Sequence, residues 1–197
     1  PTRSNKSCNN FKIPKRADTS SNLFKRTWTF LSNTFVVSSL TKEPYFFLFY
    51  CKYILDGVIL TAWVVFLIPH GVSKGYLISR AVFLASFGGI GNILGRLLTG
   101  PVLHMQWLSA VGLMIALHAI NAMVFVLDPF MSPFWSLAFM AFLGGFTLGG
   151  KTTSSGIIVK ESYPASTYSS ASALYAFTFS IGQPLGGLLT GKYLCGK

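Results

Sequence analysis

Five apolar segments, residues 45–69, 77–98, 107–127, 134–159 and 170–194, follow one another with only short breaks between them. Each is near or above the ~20 residues that an α-helix needs to cross the hydrocarbon core of a bilayer. No water-soluble fold has a use for so much uninterrupted hydrophobicity. The pattern therefore predicts an all-α, polytopic membrane protein with five spans. Composition agrees: 51% hydrophobic residues, 11% charged residues and a mean hydropathy of +0.54 would leave a soluble domain with more apolar surface than its core could hide.

The net charge of +11 would suggest a nucleic-acid partner in a soluble protein. Here half of the positive charge lies ahead of the first span, on Arg3, Lys6, Lys12, Lys15, Arg16, Lys25, Arg26 and Lys42. A basic flank held in the cytoplasm is the ordinary positive-inside signature, so no nucleic acid is expected and residues 1–43 read as a basic cytoplasmic loop, disordered or interfacial. Its apolar stretch, 28–40, suits an interfacial helix and is too short and too broken by Ser and Asn for a signal peptide. Five spans starting inside end outside, which puts the Lys74 and Arg80 loop, the 128–133 turn and the carboxyl end on the external face. Lys74, Arg80, Lys192 and Lys197 run against the rule there, so the orientation rests on the amino tail. Sugar on Asn5, in the triplet Asn5-Lys6-Ser7, would reverse it. Beginning at Pro1 rather than Met, and ending directly after a hydrophobic run, the chain reads as a fragment. Cys8, Cys51 and Cys195 have neither disulfide nor metal-ligand spacing and are expected to be structural, with no metal or cofactor.

Glycines recur four residues apart within the spans: Gly91 with Gly95, Gly145 with Gly149, Gly182 with Gly186 and Gly187 with Gly191. Small residues at this spacing share one helix face and let backbones approach closely, which is how helices gain packing energy in lipid. Pro184 is expected to kink the last span. The string from Gly145 to Thr152 satisfies the spacing of a phosphate-binding loop, with Gly150, Lys151 and Thr152 at its end. That loop works only between a buried strand and a helix amino terminus, and here it lies deep inside an apolar segment, so a nucleotide-dependent enzyme is not expected.

Freed from that reading, Lys151 is an ammonium at membrane depth, where such a charge costs ~3 kcal/mol and usually faces a cavity or a partner. Arg96 poses the same question in the inner half of the second span, and Asp56 lies near the middle of the first. Asp56 and Lys151 suit an ion pair. Lys52, one turn before Asp56, is expected to snorkel to the cytoplasmic surface. His70, His104 and His118 share no ligand spacing and read as bystanders.

The stretch from Ile90 to Gly100 with Gly91, Asn92, Gly95 and Arg96, the run Phe146-Thr147-Leu148-Gly149, Ser169-Ser170-Ala171 after a polar loop, and Gly182-Gln183-Pro184 with Gly187 together resemble the carboxyl-terminal half of the monocarboxylate transporters. These belong to the major facilitator superfamily. The resemblance covers residues 42–197. It implies that residues 44–197 form helices seven to eleven of a twelve-helix transporter, five members of a six-helix half-bundle.

In that family an aspartate one turn before the arginine is implied in proton coupling, and the pair in binding the substrate carboxylate. Arg96 stands at the arginine and Asn92 at the aspartate, and an amide does not exchange protons near neutrality. The resemblance thus supports carboxylate binding more than proton symport, and a facilitator fits as well as a symporter. Leu148 takes the place of an aromatic that limits substrate size. Lys151 replaces an apolar residue, and the last helix is about one turn short of the family pattern between Ser170 and Gly182. The expected substrate-binding residues are therefore Arg96, Asn92, Lys151, Asp56 and Leu148. The expected partners are a small organic acid, a co-transported proton if coupling survives, the lipid bilayer, the missing amino-terminal half and a single-span accessory glycoprotein. The resemblance places the chain in the plasma membrane. The competing expectation is a non-transporting membrane scaffold that shares the fold.

Overall fold

The computed structural model describes residues 46–195, with side chains from 47 to 192. The basic amino-terminal loop, the interfacial helix expected in it, the Asn5 triplet, Cys8 and the side chain of Cys195 lie outside the described residues. Five long helices account for nearly all of the rest: α1 (Phe46–Ser73), α2 (Ile78–His104), α3 (Ala110–Leu127), α4 (Phe134–Ser162) and α5 (Ala165–Cys195), with a 3₁₀ turn (Asp128–Phe130) between α3 and α4. The breaks fall where the chain carries helix-ending chemistry. Gly75 adopts φ +87° after α1, Ser109 caps α3 by accepting from the Gly112 amide, and Pro164 stands ahead of α5.

The helices overrun the apolar segments. α1 continues past Pro69 to Ser73, α2 passes through Pro101 to His104, and α5 begins at Ala165, ahead of the segment expected from residue 170. Prolines persist inside spanning helices because neighbouring helices and hydroxyl side chains re-satisfy the freed carbonyls. The Ser- and Thr-rich stretch before Ala171 is helical for a related reason. Thr167 turns its hydroxyl back onto the Pro164 carbonyl, while Ala171 is buried and its carbonyl accepts from Tyr50 Oη at 3.3 Å. Helix α5 runs unbroken through Pro184.

Of the five helices, α1, α2 and the stretch Ala110–Phe130 containing α3 are long and apolar enough to cross a membrane. α4 and α5, with 29 and 31 residues, have the length but a more polar composition. α4 spends much of its surface on buried Gly, Thr, Ser and Lys residues, so its polarity faces inward. Large apolar side chains such as Leu55, Phe83, Ile115, Phe139 and Leu188 face outward on all five helices. That exposed surface is what lipid would cover.

Two pairs pack most closely, α2 on α4 and α1 on α5. Successive contacts rise together along both sequences in each pair, so the partners run parallel. Gly91 and Gly95 of α2 lie against the Phe142 and Phe146 carbonyls, while Gly145 and Gly149 of α4 lie against those of Gly88 and Asn92. Gly182 and Gly186 of α5 meet the Ile54 and Val58 carbonyls of α1 in the same way. A Cβ at any of these six positions would run into main chain. The fourth expected pair is not a seam: Gly191 has open space where a Cβ would go, and Gly187 meets only a methyl of Thr61 at ordinary contact distance. Four-residue spacing states that two glycines share a face, not that a neighbour lies on it. Trp63 closes the junction of α1, α2 and α4 by laying its indole over Gly88 and Gly144.

Candidate functional site

Counting along the helices sets the depth of the charged groups. α1 and α3 start at the face where α2 and α4 end. Asp56, His118, Arg96 and Lys151 are therefore all about 12–17 Å from that face at 1.5 Å rise per residue. α1, α2 and α4 are about 40 Å long and overrun a hydrocarbon core of about 30 Å, so these groups lie inside the bundle, in the half nearer that face.

Asp56 is the hub. Its Oδ2 lies 2.8 Å from Lys52 Nζ, one turn earlier on α1. Its Oδ1 faces His118 Nε2 of α3 at 3.3 Å and Lys151 Nζ of α4 at 3.7 Å. The expected pairing of Asp56 with Lys151 is thus present but is the longest of three. Lys52 does not snorkel away, which corrects the expectation. It turns inward to Asp56, with Ser155 Oγ at 3.5 Å, and stands 4.4 Å from the centre of the Tyr53 ring. Asp56 offers it a closer counter-charge than the surface does. His118 is not a bystander either: besides facing Asp56, its Nδ1 is 2.8 Å from the Met114 carbonyl. His70 lies beside Asp128, Nε2 to Oδ2 2.9 Å, tying the end of α1 to the 3₁₀ turn; the contact is an ion-pair approach rather than an aligned hydrogen bond.

Lys151 is 3% exposed and donates to Asn121 Oδ1 at 3.0 Å. Asn121 Nδ2 donates to Thr147 Oγ1 at 2.9 Å, and Thr147 donates to the Gly144 carbonyl. This relay holds the ammonium in place, because each polar atom buried away from water needs a partner. Asn121 and Thr147 were not anticipated from the sequence. The signal was there: Ala110, Met114, Leu117, Asn121 and Val124 form the buried stripe of α3, and an amide on such a stripe needs a polar neighbour. The phosphate-loop string is helical throughout, residues 145–152 lying wholly inside α4, where backbone amides serve the helix itself.

Arg96 sits at similar depth in different surroundings. It is exposed, and its Nε donates to Asn92 Oδ1 at 3.1 Å. Asn92 in turn points Nδ2 at the Gly145 carbonyl, 3.4 Å away across the α2/α4 seam. An amide suits this position because it presents an acceptor to the arginine and a donor to the carbonyl; a carboxylate would set oxygen against oxygen. Among the described residues the remaining guanidinium N–H groups have no hydrogen-bond partner.

Of the expected site residues, Asp56, Lys151 and Leu148 line one small cavity of about 10 Å³ together with Tyr53, Tyr175 and Phe179. That is room for one water at most. Arg96 and Asn92 form a separate pair outside it. Leu148 is 3% exposed and packs into the cavity wall. A larger apolar hollow of about 700 Å³ lies elsewhere, between Trp63, Phe66, Phe125, Met140 and Leu189, beside the His70 and Asp128 contact.

Set against known protein families, curated proteins and solved structures, the chain gives no match. What the site can do rests on its own chemistry. Among the described residues, three basic side chains, Lys52, Lys151 and Arg96, stand inside the bundle with one carboxylate, Asp56.

Proposed function

We propose that this chain is the substrate-holding half of a secondary transporter for small organic anions, monocarboxylates or related carboxylate-bearing solutes, built as five helices of a major-facilitator-type half-bundle. The observation that carries the reading is the set of basic side chains inside the helix bundle, and above all Arg96. Its guanidinium is exposed, oriented by Asn92 through Nε only, and left with a planar fork of donors that matches a carboxylate. A cation at this depth is costly unless it has a task, and intramembrane charges commonly mark substrate paths. Lys52, Lys151 and Asp56 form a separate cluster that adds to the field an entering anion meets.

Alternating access requires a second bundle to close the other side of the cavity, so the proposal includes a complementary half facing Arg96. The test is uptake of labelled lactate and acetate into vesicles carrying this chain together with its complementary half. Saturable uptake lost in Arg96→Ala, with membrane expression unchanged, is the expected result; uptake that survives the substitution removes Arg96 from the site. A second reading, a non-transporting scaffold, is favoured by the closed ring of partners around Asp56. Absence of any flux in the same vesicles would select it.

A further inference from the structure

His118 stands between two acceptors. Nδ1 is 2.8 Å from the Met114 carbonyl oxygen, which can only accept, and Nε2 is 3.3 Å from Asp56 Oδ1. A neutral imidazole carries one N–H. If that hydrogen serves Met114, the lone pair on Nε2 points at a carboxylate, two electron-rich atoms in contact. One additional proton removes the conflict, either on Nε2, making an imidazolium that donates both ways, or on Asp56, whose hydroxyl then donates to Nε2.

We infer that His118 and Asp56 form a proton-binding site across α1 and α3, and that its occupancy sets the charge with which the helix bundle meets an anion. The groups facing the pair are Lys52 and Tyr53 from α1, Lys151 from α4 and Tyr175 from α5. With both lysines charged, Lys52, Lys151 and Asp56 carry one net positive charge when the pair lacks the proton, and two when it holds it. The second positive charge is unfavourable alone and favourable with a carboxylate nearby. Proton and anion therefore assist each other's binding, and by linkage the assistance is mutual. His118 suits the part because its ring meets an acceptor at each nitrogen and its side chain is 36% exposed, whereas Lys151 is sealed in. Asn92, an amide, cannot take this part, so the titrating pair lies on other helices than the anion-holding Arg96.

The site itself stands without the transport reading; only its coupling to an anion rests on it. Nitrogen-15 spectra of histidine-labelled protein, assigned with His118→Gln, read the ring directly, and infrared difference spectra with Asp56→Asn read the carboxyl. The expected result near neutrality is either a doubly protonated His118 or a protonated Asp56. A neutral ring beside an ionised Asp56 overturns the proposal. With acetate as probe, binding should tighten several-fold between about pH 8 and pH 6, and His118→Gln, which keeps a donor toward Asp56 without titrating, should flatten that dependence. An acetate affinity independent of pH in the wild type overturns the coupling. A pair that holds its proton in a chain showing no flux would sink the transporter reading instead and leave the proton site intact.

Discussion

Arg96 and Lys151 are cations at nearly the same depth, on parallel helices that touch, and their surroundings could hardly differ more. Lys151 is buried, given to Asn121 and set against Asp56. Arg96 is exposed and shares one nitrogen with Asn92. Depth alone therefore does not say what an intramembrane charge is for. A cation sealed in among partners of its own protein shapes the field and holds helices together, whereas an exposed one with donors to spare can hold something that arrives.

The contrast fails if the two residues behave alike on substitution, and the sharpest break comes from Asp56, the counter-charge that Lys151 shares with Lys52 and that Arg96 lacks. Asp56→Asn leaves two inward-facing ammoniums without a carboxylate and should cost about 3–5 kcal/mol, read as loss of folded, monodisperse protein in detergent unfolding. Adding Lys151→Met to that variant should recover part of the loss, a coupling of about 0.5–3 kcal/mol; strict additivity would mean that the two residues do not sense each other. Gly145→Ala, which forces a methyl against the Gly88 carbonyl, should cost about 1–3 kcal/mol, while Gly191→Ala should be silent. Asn92→Asp trades the donor that meets the Gly145 carbonyl for a second acceptor and should cost about 1 kcal/mol, seen as a small fall in the unfolding midpoint. Smallest on stability is Arg96→Ala, within about 0.5 kcal/mol, because the side chain is exposed. Its effect belongs to anion uptake.

Much of this was legible in the chain. Apolar runs between turn residues located all five helices, because burial in lipid demands length and hydrophobicity that nothing else in a sequence imitates. Three glycine pairs marked real seams, and Gly187 with Gly191 did not, since spacing reports a face and not its neighbour. Arg96, Lys151 and Asp56 stood out as charges where charge is costly. The Asp56 hub was hidden by distance along the chain: His118 lies 62 residues from its partner, and no local pattern joins a histidine on one helix to a carboxylate on another. Lys52 was misjudged because snorkelling considers one helix and lipid, whereas a neighbouring helix offered something better. The polar start of α5 was invisible because hydroxyls that bond their own helix look, in sequence, like those of a loop.

The seams carry a mechanical consequence. At the six glycine contacts where α1 meets α5 and α2 meets α4, main chain lies on main chain, with no side chain at those points to jump between rotamers as one helix moves past the other. Each pair is thus a stiff two-rod lever, and yielding is left to the joint between levers. Lys52, Asp56, His118 and Lys151 sit across that joint, so breaking or recharging a few ion pairs there acts on whole helices at once.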